Sequence, residues 1–350
     1  MTNLFKKAAV IGDIHFGKRS DSEQYNQDCI EYIEWVIEQI KHNECDCIIF
    51  MGDSFENGKT MSTLTLHYAL KGIRMLGDLG IPIYWCIGNH DLYYKENRRV
   101  HALPWLELIP NVQVINEVSL IGNCILAPWV IGEEVVLLTE QRAKYVFAHL
   151  ELPLFIYDNG MEIPDHGKLH GDHFYQCEHV FSGHIHLHQQ KINANGIPIT
   201  YIGNCFPQNY NDVNDRRRGC MILEWDKEPV FLDWTDGPNY NRIKLSDLLE
   251  IIQNDQMGIA YNSKSFIEVY DDLNMGIEDT LMIKEALQDS IRGITFIHDE
   301  NDVDIEEVVA TSSDKETVDE FIRRGLTKLD TSGGKYETNL LLSIYEGAQK

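Results

Sequence analysis

Several things are missing from this chain. No stretch of about 18 consecutive apolar residues occurs, which excludes a membrane-spanning helix. No Cys-x-x-Cys pair occurs either: the eight cysteines lie singly, apart from Cys45-x-Cys47. A zinc ribbon or a disulfide framework is therefore not expected, and the cysteines read as small core residues in a reducing compartment. The opening Met1–Lys7 leads straight into the short apolar run Ala8–Ile11, without the apolar core or cleavage pattern of a secretory signal. The expected location is the cytoplasm. Internal repeats and low-complexity segments are absent. Basic charge is scarce: 30 Lys and Arg stand against 55 Asp and Glu, a net charge of −25. Broad nucleic-acid binding through a basic surface is thus disfavoured, although phosphate contacts through metal ions and a few local arginines remain open.

What is present suits a globular protein of two or three domains: 350 residues, 43% hydrophobic and 24% charged. Residues 8–15 read as a buried strand. An amphipathic helix over 24–42 follows, with Cys29, Ile30, Ile33, Val36, Ile37 and Ile40 on one face. Cys47–Met51 is a second strand. A helix over 60–78 has Leu64, Leu66, Leu70, Ile73 and Leu76 as expected core, and Ile81–Ile87 is a third strand. This is the βαβ rhythm of a parallel sheet.

Beyond residue 110 the spacing predicts strands at 112–115 and 118–128, a helix over 133–143, and strands at 145–148 and 180–182. The stretches 189–202, 219–225 and 229–234 read as an antiparallel meander. Asp236-Gly237-Pro238-Asn239 is the best candidate boundary. After it come strands at 265–270 and 293–298 around a helix near 278–291. An acidic loop at 299–307 follows, lacking the glycine of a calcium loop. A capping-box helix starts at Ser313, a linker spans 331–335, and an apolar tail carries Leu340–Tyr345.

Polar side chains recur where the apolar strands stop: Asp13 and His15, Asp53, Asn89-His90-Asp91, His149, and His184 with His186. Singly, each is an ordinary turn, N-cap or structural histidine. His188, His166, His170 and His173 keep that reading. Jointly, the carboxyl ends of parallel strands share one rim, where sites are built. Oxygen and imidazole donors without thiolate suit manganese, iron or zinc. Seven donors exceed what one catalytic ion can use and fit two, the arrangement that clamps both oxygens of a phosphoryl centre.

In this order, Asp13-x-His15, Gly52-Asp53, Gly88-Asn89-His90-Asp91, His149 and Gly183-His184-x-His186 resemble the calcineurin-like metallophosphoesterases over about residues 8–235. Phe55, the length and the C-terminal extension are similar to the SbcD-type DNA repair nucleases and their T-even phage counterparts, the recombination endonuclease subunits. The resemblance implies an α/β fold, a β-sandwich flanked by helices with a smaller α+β capping domain. Residues 1–237 would be the nuclease domain, 238–330 the cap and 331–350 a tail for docking a partner or closing the cap. It implies two divalent ions, manganese or else magnesium. Asp13, His15 and His186 would hold the first, Asn89, His149 and His184 the second, with Asp53 bridging. His90 would act as proton donor, with Asp91 orienting its ring. The implied activity is DNA phosphodiester hydrolysis, exo- or endonucleolytic, in recombination and break repair, leaving a 5′-phosphate. The implied partners are DNA, an SMC-like ABC ATPase and a second copy of the chain, in the host cytoplasm if phage-encoded. Helices of the catalytic domain, sought at 60–78 and 99–108, would form the dimer.

Two positions depart from that pattern. Glu56 stands where some relatives have a histidine linked to exonuclease action, and Ala148 replaces a glycine. Lys18, Arg19, Lys95, Arg98 and Arg99 are the expected DNA contacts, with Arg216-Arg217-Arg218 as a weaker candidate. Two rivals stand beside this reading: a phosphatase acting on a phosphoprotein or small phosphoester, and a binding scaffold without catalysis. The 110-residue extension speaks against the first. The filled ligand set and His90 speak against the second.

Overall fold

The computed structural model describes residues 2–298, apart from His166, Lys168 and 214–216. The acidic run, the Ser313 helix, the linker and the tail therefore lie outside the described residues, as does Arg216. The chain divides into a compact unit, Met1–Ile297, and a second, His298–Lys350.

The first half realises the alternating rhythm: β1 (Lys7–Ile11), α1 (Glu23–His42), β2 (Cys47–Phe50), α2 (Thr63–Gly77) and β3 (Ile83–Cys86). The strands pair in parallel, Ala8 opposite Cys47 and Ile48 opposite Ile83. Apart from Lys7 at the start of β1 they are apolar, because both faces are buried. Ala9, Ile11, Ile48 and Phe50 pack towards the helices, while Ala8, Val10, Cys47 and Ile49 belong to the opposite core, following the two-residue strand period. Ser22 and Ser62 cap α1 and α2 by accepting from Tyr25 N and Thr65 N. The buried face of α2 differs from the leucine stripe expected. Thr65, Ala69, Gly72, Ile73 and Leu76 are inside, and Leu64, Leu66 and Leu70 are half-buried. The helices approach closely enough that a Cβ on Gly72 would lie 2.6 Å from Ile33 Cδ1, so small residues take the contact.

A hairpin of β4 (Leu92–Tyr94) and β5 (Asn97–His101) follows the Asn-His-Asp turn. A 3₁₀ turn at Pro104–Leu108 then leads to β6 (Val112–Ile115) beside β3. The segment 99–108 is thus strand and 3₁₀ turn, and it offers no α-helix for a dimer contact.

A second sheet begins with β7 (Ser119–Ile121) and β8 (Cys124–Ala127). After α3 (Glu134–Glu140) come β9 (Tyr145–His149), β10 (His179–Gly183), β11 (Gln189–Ile192) and β12 (Pro198–Tyr201), in the order β11-β12-β10-β9-β8-β7. β13 (Gly219–Glu224) and β14 (Val230–Asp233) return to the first sheet, in the order β14-β13-β1-β2-β3-β6. The single meander expected over 189–234 is therefore two hairpins in two different sheets. Local alternation specifies hairpin pairing but not the sheet edge that a hairpin joins. The sheets close on one core, where Val10, Ile49 and Met221 meet Leu126, Phe147 and Phe181. All eight cysteines are buried and free.

Past Gly237, β15 (Asn239–Lys244), α4 (Leu245–Gln253), β16 (Ser265–Asp271), α5 (Ile277–Leu287) and β17 (Gly293–His298) form a three-stranded sheet with helices. Its small core includes Leu245, Leu248, Ile267, Val269 and Ile294. Polar links hold it to α1: Lys264 pairs with Glu31, and Arg292 Nη1 lies 2.6 Å from Asp28. Among the described residues no helix is long and apolar enough to cross a membrane.

Trp85 ties the strand ends together. Its ring stacks on Phe50 at 3.9 Å, and its Nε1 donates to Ser54 Oγ at 2.8 Å, one residue past Asp53. Trp85→Ala is expected to cost about 3–5 kcal/mol, read as a lowered urea midpoint, with Trp85→Phe losing far less. Equal midpoints for the alanine variant and the parent would contradict this packing.

Candidate metal centre

Parallel strands of both sheets end at one place. Asp13 and His15 follow β1, Asp53 follows β2, and Asn89 and His90 follow β3. From the second sheet, β9 ends on His149, and β10 runs into His184 and His186. Past the sheet edge the first two loops stay zipped, with Asp13 N donating to Gly52 O and His15 N to Asp53 O. Asp13, His15 and Asp53 each have φ of 53°, and His184 has 83°. Left-handed backbone at four non-glycine ligand positions costs about 1–3 kcal/mol each and gathers where a function requires it. Gly88 is needed because a Cβ there would lie 2.1 Å from Asp53 Oδ1.

The side chains converge in two halves. His15 Nε2 lies 3.1 Å from His186 Nε2, in a cluster with Asp13. His149 Nε2 and His184 Nδ1 each lie 2.9 Å from Asn89 Oδ1, and His149 Nε2 lies 3.3 Å from Asp53 Oδ2. Asp53 Oδ2 is also 3.8 Å from His15 Nε2, so this carboxylate stands between the halves. All seven expected donors are therefore brought together.

The far ring nitrogens are anchored. His15 Nδ1 is 3.0 Å from Glu56 Oε2, His149 Nδ1 donates to Met51 O at 2.8 Å, and His184 Nε2 is 3.0 Å from Glu151 Oε2. His186 Nδ1 lies 3.5 Å from Asp158 Oδ2. Such partners orient ligand histidines and raise their basicity. Motif reading missed Glu151 and Asp158. Glu151, two residues past His149, carries a spacing signal; Asp158 sits in a loop with none. Glu56, noted only as a departure, brings Oε2 to 3.0 Å from His15 Nδ1 as a charge partner, without hydrogen-bond alignment.

Two expected roles are corrected. Asp91 does not orient the His90 ring. Its Oδ1 accepts from Ser54 N and Phe55 N and its Oδ2 from Gly88 N, so it fixes backbone beneath the centre. Adjacent residues in this turn point apart, and His90 Nδ1 instead donates to Glu56 O at 2.8 Å. Among the expected DNA contacts, Arg98 is a strut: it pairs with Glu134 and donates to Asn116 O and Trp129 O. Arg19 donates to Gln208 O and lies over the Tyr240 and Phe266 rings, and Lys18 is 3.3 Å from Glu56. Arg218 is buried against Asp212. Lys95 and Arg99 remain exposed on the β4–β5 hairpin.

Electrostatics favour cations here. Burial pushes the His15 imidazole down to about 4, lowers His184, and holds His186 well below the usual histidine range. These rings are neutral and able to ligate. Burial drives the Asp13 carboxyl up to about 8, and Asp13 Oδ2 has no hydrogen-bond partner. Burial also opposes charge on His149, but Asp53 beside it wins and raises the ring to about 9. Paired lone-pair atoms about 3 Å apart, an orphaned carboxylate oxygen and a thiolate-free set fit divalent cations.

These features define the class: an α/β sandwich with a divalent-cation donor set where its two sheets meet. The calcineurin-like phosphoesterase description matches residues 6–188, and the chain belongs to that family. Exonuclease subunit 1 of Enterobacteria phage T4 is 31% identical over 227 residues, covering 62% of this chain and 64% of the relative. The DNA double-strand break repair protein Mre11 of Archaeoglobus fulgidus is 22% identical over 301 residues, covering 75% of this chain and 65% of the relative. The chain thus spans just under two thirds of these relatives. Among solved structures, a dimetal phosphatase from Danio rerio is 13% identical with a TM-score of 0.41, covering 65% of this chain and 99% of its own. The nuclease MPE of Pseudomonas putida is 14% identical with a TM-score of 0.33, covering 64% and 87%.

With Asp13 near about 8 and His149 near about 9, both carry protons at neutral pH until cations displace them. Calorimetric Mn²⁺ titration in buffers of different ionisation enthalpy should show release of about two protons per chain, and tighter binding as pH rises towards 9. Proton uptake would contradict these assignments. Glu151→Ala should weaken metal affinity about 10–100-fold by freeing the His184 ring, again read by calorimetry.

Proposed function

We propose that this chain is a two-metal DNA phosphodiesterase, the nuclease subunit of a complex with an SMC-like ATPase in recombination and double-strand-break repair. The observation that carries the chemistry is the convergence of anchored imidazoles on Asp53 and Asn89, beside the orphaned Asp13 oxygen. DNA as substrate is supported by the relatives, one named an exonuclease subunit and the other a break-repair protein.

In this reading Asp13, His15 and His186 hold one ion, Asn89, His149 and His184 the other, and Asp53 serves both. Divalent ions, with manganese better suited than magnesium to imidazole donors, would neutralise phosphate charge and acidify water. The residues of the chain do the rest. His90 is the proton donor to the leaving 3′-oxygen. Its Nδ1–H is committed to the Glu56 carbonyl, which leaves Nε2 as the atom that would hand over the proton. The Asp53 carboxylate fixes the turn by accepting from His90 N at 2.8 Å, which sets the ring beside the centre. Lys95 and Arg99 meet flanking phosphates. The reading also takes 1–237 as nuclease domain, 238–330 as cap, 331–350 as docking tail, and α2 as the dimer face.

The test is cleavage of end-labelled linear and circular single-stranded DNA with Mn²⁺, Mg²⁺ or EDTA, beside a small phosphomonoester. Metal-dependent DNA cutting with the monoester untouched is expected, and the circle separates endonuclease from exonuclease action. Turnover of the monoester alone would favour a phosphatase. Silence on every substrate, persisting with the ATPase added, would indicate a scaffold. His90→Ala should lower turnover about 10²–10⁴-fold while still binding metal. Wild-type turnover by that variant would remove His90 from the mechanism.

A further inference from the structure

Beside the second half of the centre lies a cleft of about 450 Å³. One side is apolar, formed by Trp129, Ile131, Val135, Leu150 and Pro164, and His149 and Glu151 also line it. The Trp129 ring centroid is 5.0 Å from that of His184 and 6.0 Å from that of His149. The cleft is therefore continuous with the place where a phosphate would react. Lys95 and Glu96 line it from the β4–β5 hairpin.

The Trp129 wall is fixed in place. Arg98 donates to Trp129 O at 2.6 Å and to Asn116 O at 2.7 Å, and it pairs with Glu134. Glu134 Oε2 accepts from Ile131 N at 3.0 Å, and Trp129 N donates to Ile87 O at 2.7 Å. One guanidinium thus ties the hairpin bearing Lys95 to the loop bearing the tryptophan.

We infer that this cleft is a nucleobase subsite, which takes an unpaired base next to the scissile phosphate and directs the chain to single-stranded or frayed DNA. The inference rests on the DNA reading above and names its substrate class. A base has flat apolar faces and a polar edge; the cleft has an aromatic wall, apolar sides and charged groups. Its volume is within the usual range of small-molecule sites. A cation at the lining suits the next phosphate. A base within a duplex has both faces stacked and cannot enter, whereas single strands are held by stacking on aromatic rings. A phosphoserine or an aliphatic phosphomonoester brings no flat face to such a wall.

The test is an abasic scan. A single-stranded oligonucleotide carries one abasic nucleotide at each position in turn, and kcat/KM is measured with Mn²⁺. An oligomer built only of tetrahydrofuran abasic units reports the centre without a base or any other flat ring. One abasic position beside the cut should slow the parent about tenfold, within the range of base–aromatic stacking. Trp129→Ala should lower the ratio of DNA to all-abasic oligomer cleavage about tenfold and abolish the abasic effect. Trp129→Phe should retain most of both, and Val135→Trp, filling the cleft from another wall, should lose both. Binding of a fluorescent oligonucleotide in EDTA should weaken in Trp129→Ala and Val135→Trp. DNA cleavage without abasic sensitivity, or an unchanged ratio in Trp129→Ala, would overturn the subsite and leave the nuclease reading standing. Should DNA not be cut at all, the nuclease reading fails, and the EDTA binding decides the subsite. Absent binding, or equal binding by parent and Trp129→Ala, would sink it.

Discussion

The structure depends on holding ring nitrogens and carboxylate oxygens closer together than they would stand unaided. His15 and His186 present nitrogens 3.1 Å apart, and Asn89 Oδ1 sits 2.9 Å from two more. Neutral acceptors at such separations repel unless a cation or a shared proton lies between them, and at His149, raised to about 9, a proton takes that place. Much of what surrounds the centre resists that repulsion. Glu56, Asp158, the Met51 carbonyl and Glu151 grip the far nitrogens, Asp91 pins three backbone amides, and Trp85 braces the strand ends from below. Left-handed backbone at four ligand positions is tolerated because two sheets and two helices over-determine the loops.

The same economy of structure explains how so acidic a chain can be read as acting on a polyanion. Its few arginines near the centre are largely spent inside the fold. Arg98 ties a hairpin to a neighbouring loop, Arg218 is buried against Asp212, and Arg19 lies over aromatic rings of the third sheet. Positive charge for a phosphate would then come from bound cations and from the hairpin residues Lys95 and Arg99, with further grip left to a partner. On the proposed reading, affinity for DNA would come from one local site and not from the chain as a whole, whose formal net charge is −25.

The sequence by itself determined a good deal. Apolar strand runs ending in Asp, Asn or His made the donors recognisable, because a strand emerging from a core must stop where charged groups appear. The βαβ order, the strands of the two later hairpins and two of the three strands of the third sheet were legible for the same reason: period and turn chemistry are local. The partners of those donors went unread, and of them only Glu151, two residues past His149, carries a spacing signal that could have found it. Only the tertiary structure decided the rest. It placed β13–β14 and β11–β12 in different sheets, since alternation carries no information about which edge a hairpin joins. It turned Asp91 away from His90, made Arg98 a strut, and set Trp129 against His184, over 50 residues away in sequence. Side-chain direction at a strand end follows from how neighbouring loops pack, and that is settled by contacts between residues far apart in the chain.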